Sequence, residues 1–167
     1  MAEGSVYVNS RAQYNAWAGT NPINWASGTI KIGITTDAVT PSVDDTDPRW
    51  GSGGDQDYSA DEVTPGGNYP AGGVSLSTPS IAFSAPDSIF SAVSPAINIA
   101  SNPSNPTNAR WAHFYDDADA GKHIFMFMDI QDSANTPSLQ RSLVSGLIAA
   151  IDGYSSGAHV LAVGTIP

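Results

Sequence analysis

Apolar and aromatic positions are densest in two stretches, Ala109-Arg-Trp-Ala-His-Phe-Tyr-Asp-Asp117 and Lys122-His-Ile-Phe-Met-Phe-Met-Asp-Ile130. Between them Asp117-Ala-Asp-Ala-Gly121 has the Asp and Gly content that reverses a chain. The pattern predicts an antiparallel hairpin at the centre of an all-β domain. Alternation puts Trp111, His113 and Tyr115 on one face and Ala112 and Phe114 on the other. In the second strand it sets Ile124, Met126 and Met128 against Phe125, Phe127 and Asp129. Large apolar groups on both faces call for a strand covered on each side, or one whose second face meets another subunit. Aromatic enrichment and flanking breakers favour strand over helix here.

Towards the N-terminus, Val6-Tyr-Val8 reads as an edge strand or as an arm (residues 1–9) laid on a neighbour. A short helix follows from Ser10 as N-cap to Gly19 as its stop, with Tyr14 and Trp17 facing the core together. Ile30, Ile32 and Ile34 alternate with Thr29, Lys31, Gly33 and Thr35, the clearest single strand of the chain. Gly33 weakens that strand unless a bulge, a covering aromatic ring or a ligand accounts for it.

Residues 37–73 have no periodicity. Prolines, glycines and acids make them a long loop, of the kind that is functional or ordered by a partner. Its Arg49-Trp50 pair either anchors a neighbouring protein or folds back with Trp50 as a lid on the domain's own core. Short strands follow at Val74–Leu76, Ile81–Phe83, Ile89–Val93 and Ile97–Ile99, divided by Pro79, Pro86 and Pro95. That spacing predicts a sandwich or barrel. Thr136-Pro137 opens a predicted helix carrying Leu139, Leu143, Leu147 and Ile151 at intervals of four, with Gly146 counting against it. His159–Val163 reads as a closing strand. The expected fold is mainly β, an antiparallel sandwich or barrel-like single domain over 1–167, with one or two short helices and a long acidic Gly/Pro-rich loop.

Composition narrows the function. A chain of 167 residues buries roughly 70% of its extended surface, enough for a core without staples. Cysteine is absent, which excludes disulfides, thiolate zinc sites and cysteine nucleophiles. The net charge of −10 arises from 16 acidic and 6 basic residues, a balance that repels phosphate backbones and argues against nucleic-acid binding. No run is long enough for a membrane span, and Met1-Ala-Glu-Gly lacks the regions of a signal peptide. Synthesis in a reducing cytoplasm fits.

The acidic clusters Asp44-Asp45-Thr-Asp47, Asp55-Gln-Asp57 with Asp61-Glu62, and Asp116–Gly121 each resemble fragments of a hard-cation site. From Asp117 the twelfth position is Met128 rather than Glu, so no calcium loop is completed. Solvated loop acids are the plainer reading. His113, His123 and His159 lack a closely spaced partner, and no serine lies in G-x-S-x-G. His113 reads as a satisfied core or interface histidine, and the Gly-Gly pairs at 66–67 and 72–73 read as turns. The expectation is no enzyme, no cofactor and no metal.

Several short motifs occur in a recognisable order. A Trp precedes Thr29-Ile-Lys-Ile-Gly-Ile-Thr-Thr36, then come Tyr69-Pro-Ala-Gly-Gly-Val-Ser-Leu76, Ala109–Asp117 and an apolar strand ending in Asp129-Ile130. From about Tyr14 to Ile130 this order resembles a family of small tailed-phage virion proteins; beyond Asp132 the chain departs from that pattern. The resemblance implies a capsid decoration (cement) protein on the exterior of the virion. Its implied partner is the major capsid protein, and it implies a homotrimer. The contact residues expected on this reading are Arg49, Trp50, Tyr58, Tyr69, Trp111 and Tyr115. A tail or head-fibre protein is one alternative. Another is a calcium-dependent carbohydrate-binding β-sandwich with Trp50, Trp111 or Tyr115 as sugar platforms.

Overall fold

The computed structural model describes residues 4–20, 29–76, 81–84, 89–92, 96–151 and 161–164. Strand β1 (Val6–Val8) and helix α1 (Ser10–Ala18) come first, then β2 (Ile30–Thr35), and the short β3 (Pro48–Arg49) and β4 (Gln56–Asp57) within the long loop. These are followed by β5 (Val74–Ser75), β6 (Ile81–Ser84), β7 (Ile89–Ala92) and β8 (Ala96–Ile99). The predicted hairpin is β9 (Trp111–Asp116) and β10 (Ile124–Asp129), and β11 (Leu147–Ile151) and β12 (Leu161–Gly164) close the order.

The fold is mainly β, built on an antiparallel five-stranded sheet in the order β1-β10-β9-β2-β5. A three-stranded sheet, β12-β11-β8, supplies Ile97, Ile99 and Leu147 to the same buried cluster as Ile30, Ile32, Ile34 and Phe114. Two sheets sharing one apolar interior give a sandwich-like arrangement. The sheets are open, which removes the barrel alternative.

The hairpin is central as predicted, with β9 between β10 and β2. Strict alternation in β10 fails at one point. Ile124 lies opposite Tyr115 but Met126 lies opposite Phe114, so the register shifts between them. This bulge returns Ile124 to the Tyr115 side and leaves both Phe125 and Met126 in the main apolar cluster. Periodicity alone carries no sign of such an inserted residue.

Three further expectations need correction. The helix cap is Asn9, not Ser10: its side-chain Oδ1 accepts from the Arg11 N–H at 2.9 Å, and its Nδ2 donates to the carbonyls of Ser42, Val43 and Asp45. Those tertiary bonds decide the position. Tyr14 does not face the core; Ala12 packs there, and two residues of helix turn Tyr14 outward to 61% exposure. The Trp17 side chain lies outside the described residues. The second predicted helix, opened at Thr136, is absent. Arg141 pairs with Ala109 in an isolated bridge, Leu139 has φ 54° and Gly146 φ 86°, and Leu147 begins strand β11. An L-residue and a glycine in the left-handed region stop a helix at both places. Gly19 ends α1 as read, with φ 68°. Of the closing strand, His159 and Val160 lie outside the described residues.

Candidate functional site

The five-stranded sheet has one face packed on the second sheet and another covered by the long loop. The register puts Lys31, Gly33 and Thr35 of β2 beside Tyr115, His113 and Trp111 of β9, and beyond them Ile124, Phe127 and Asp129 of β10. The chain leaves this sheet at Thr36 and returns at Glu62, opposite Thr35. The Thr36 N–H donates to Asp61 O at 3.0 Å and the Val63 N–H to Ile34 O at 3.0 Å, so the loop is closed at its base.

Trp50 is the centre of the cover. It is 5% exposed and stacks on Tyr115 with centroids 5.5 Å apart and planes 8° apart. Its six-membered ring fills the space where a Cβ on residue 33 would stand, which is why the strand carries glycine there. Tyr58 lies 4.4 Å from the His113 ring, and Tyr7 of β1 stacks on Phe127 at 5.2 Å. Of the two readings of Trp50, the structure has the lid.

Most polar groups beneath the lid and at its margin are spent on closure, three buried atoms excepted. Tyr58 donates to Asp45 Oδ2 at 2.5 Å and Tyr115 to Gly72 O at 2.5 Å. Tyr69 receives the Ile34 N–H at 2.8 Å and donates to Glu62 Oε1 at 2.9 Å. Burial pushes all three phenols up, and the nearby carboxylates push them further, so each is a neutral donor. His113 Nε2 lies 3.0 Å from Thr35 Oγ1, and burial lowers its pKa to about 3, so the imidazole is neutral. Arg110 pairs with the buried Asp129 and lies over the Trp111 ring at 4.4 Å. Trp111 Nε1, His113 Nδ1 and Asp129 Oδ2 are buried without a hydrogen-bond partner among the described residues.

At the rim, ion pairs tie the hairpin turn to its surroundings. Asp117 takes Lys31 at 2.8 Å and Lys122 at 2.9 Å, and these two bonds hold its carboxyl below the usual range. Arg49 pairs with Asp47 at 2.8 Å. His123 bridges Asp119 at 2.5 Å and Asp47 at 3.3 Å, joining turn to loop. Partial burial pushes Asp119 up, but the bonds it accepts from His123 and Gly121 outweigh that and leave it lowered.

The acidic clusters serve the same end. Asp55 accepts from Thr46 N at 2.8 Å, Thr46 Oγ1 at 2.6 Å and Asp47 N at 2.9 Å, and the Thr46 hydroxyl lowers its pKa most. Asp57 caps the 3-10 turn at Tyr58–Asp61 by accepting from the Ser59 N–H at 3.0 Å. Among the described residues no group of three or more His, Asp or Glu could hold a metal ion. No helix among them is long and apolar enough to cross a membrane.

The six residues expected as outward contacts are therefore placed differently. Trp50, Tyr58, Trp111 and Tyr115 come together on the covered face, and Tyr69 sits in the main cluster; all five are buried by their own chain. Only Arg49, at the rim, keeps appreciable exposure. As contact anchors these five, and as sugar platforms Trp50, Trp111 and Tyr115, are corrected to core. Outside this face, Arg11 and Tyr14 of α1 stand exposed in a segment free of acids from Gly4 to Thr36. No protein-family model, curated protein or solved structure matches this chain.

Proposed function

We propose that this chain is a structural component of a tailed-phage particle, a capsid decoration protein that binds the outer surface of the head as a homotrimer and stabilises contacts between major capsid subunits. One observation carries the reading. The motifs behind the resemblance are far apart in sequence but adjacent in space. Strand β2, bearing Thr-Ile-Lys-Ile-Gly-Ile-Thr, pairs with β9 of the Ala109–Asp117 motif on one side and with β5 of the Tyr69–Leu76 motif on the other. Tyr69 is bonded to Ile34, and Tyr115 to Gly72. A motif set that forms one packed unit is what a structural role would use.

A non-enzymatic role agrees with polar groups consumed in closing a loop, and an acidic exterior suits the outside of a shell filled with DNA. Modest contacts suffice, because several linked copies gain effective concentration on equivalent sites. The test is copy number and position in intact particles. A ratio near that of the major capsid subunit is expected, with the protein on the head. A few copies per particle moves it to the tail, and absence from virions overturns the reading. A monomeric mass both in solution and on the shell removes the trimer.

A further inference from the structure

The chain holds only six basic side chains. Five are committed within the fold: Lys31 and Lys122 to Asp117, Arg49 to Asp47, Arg110 to Asp129, and Arg141 to the Ile130 and Gln131 carbonyls at 2.7 and 2.8 Å. Among the described residues the Arg11 guanidinium takes part in no hydrogen bond or ion pair. It lies 5.3 Å over the ring of Tyr14, which at 61% is the most exposed large hydrophobic residue described; Val8, at 45%, is the other one left exposed. An arginine laid on an exposed aromatic has the composition of an interface centre.

This face is held rigid. Asn9 ties the helix start to three loop carbonyls, and the Ser10 N–H donates to Val43 O at 2.9 Å. That bond brings the backbone beside Asp44 to the start of the helix. Asp44 is exposed, and its carboxylate takes no hydrogen bond or ion pair among the described residues. The helix start and the loop beside it thus offer an unused cation, an unused anion and apolar residues to a neighbouring copy.

We infer that this surface is a contact between copies of the chain, in which Arg11 of one copy takes Asp44 of a second copy and Tyr14 and Val8 are covered between them. Elsewhere the acid excess opposes self-association, and at physiological salt that repulsion is screened beyond about 8 Å. The contact rests on the homo-oligomer proposed above but not on the virion location, so the two fail separately.

The experiment is the mass of the full chain in solution by sedimentation equilibrium, with circular dichroism confirming the fold of each variant. The wild type is expected to associate. Arg11→Asp and Asp44→Arg are each expected to weaken association by at least about tenfold, and the double variant R11D/D44R to restore it. Tyr14→Ser weakens it without charge rescue. A wild type that is monomeric at about 100 μM, single variants that associate unchanged, or a double variant that stays dissociated each overturns the contact. A monomer that still binds shells would overturn the contact and leave decoration standing.

Discussion

The two faces of the central sheet are both closed to water, but by different means. On the side of Ile30, Ile32, Ile34 and Phe114, two sheets meet through apolar side chains. On the side of Gly33, Thr35, His113 and Tyr115, one loop provides the cover. Carboxylates, hydroxyls and backbone amides keep it there. The first kind of burial is non-directional and scales with area. The second depends on particular bonds and on protonation. Global stability should therefore reside in the first face and the response to pH and salt in the second.

The largest expected effect breaks the apolar face. Phe114→Ala should cost about 3–5 kcal/mol in urea unfolding, with the midpoint falling and the slope unchanged. A loss below about 1 kcal/mol would mean that the shared interior of the two sheets is not the main source of stability.

The next concerns His113. Released by unfolding, its imidazole returns to 6.5, whereas in the fold it takes a proton only near 3. Below pH 6.5 the unfolded state thus binds more protons, and stability falls as pH falls towards 3. The slope is at most about 1.4 kcal/mol per pH unit, or about 2–3 kcal/mol between pH 6.5 and 4.5. His113→Gln should flatten that window; an unchanged slope would assign the pH response elsewhere. The lowered carboxyls of Asp55, Asp117 and Asp119 act below it, since their contribution is present above their ordinary value of 3.8 and disappears as pH drops further.

A smaller effect separates lid from sheet. Gly33→Ala should displace Trp50 at a cost of about 1–3 kcal/mol. It should also raise amide exchange at Trp50, whose N–H donates to Lys122 O at 3.0 Å, while exchange in β9 stays protected. If exchange rose equally in both, the lid would not be a separate unit. Smallest of all, Lys122→Met should change stability by less than about 1 kcal/mol, and by less still at high salt, because the pair is at the surface.

Legibility in the sequence follows the same division. The hairpin, the isoleucine strand and the short strands up to Ile99 were readable, because apolar area alternating at period two leaves a periodic trace. The need for a ring over Gly33 was readable too, though not which ring. The bulge at Phe125 left no trace, since one inserted residue looks like any other. The leucine spacing after Thr136 read as a helix because Leu143 and Leu147 are both core residues, but they reach it through a turn and a strand. Outward roles for Trp50, Tyr58 and Tyr115 failed for a related reason: composition marks residues that bury well without saying whether their own chain or a neighbour buries them.

Strand β1 is the sheet's first piece in chain order, and its one neighbour, β10, is the last of that sheet, with Val6 opposite Met128. On a ribosome the opening strand therefore emerges well ahead of the segment that receives it. Val6, Tyr7 and Val8 have no docking place until β10 has emerged, so this margin of the sheet is completed only after the hairpin strand that receives it.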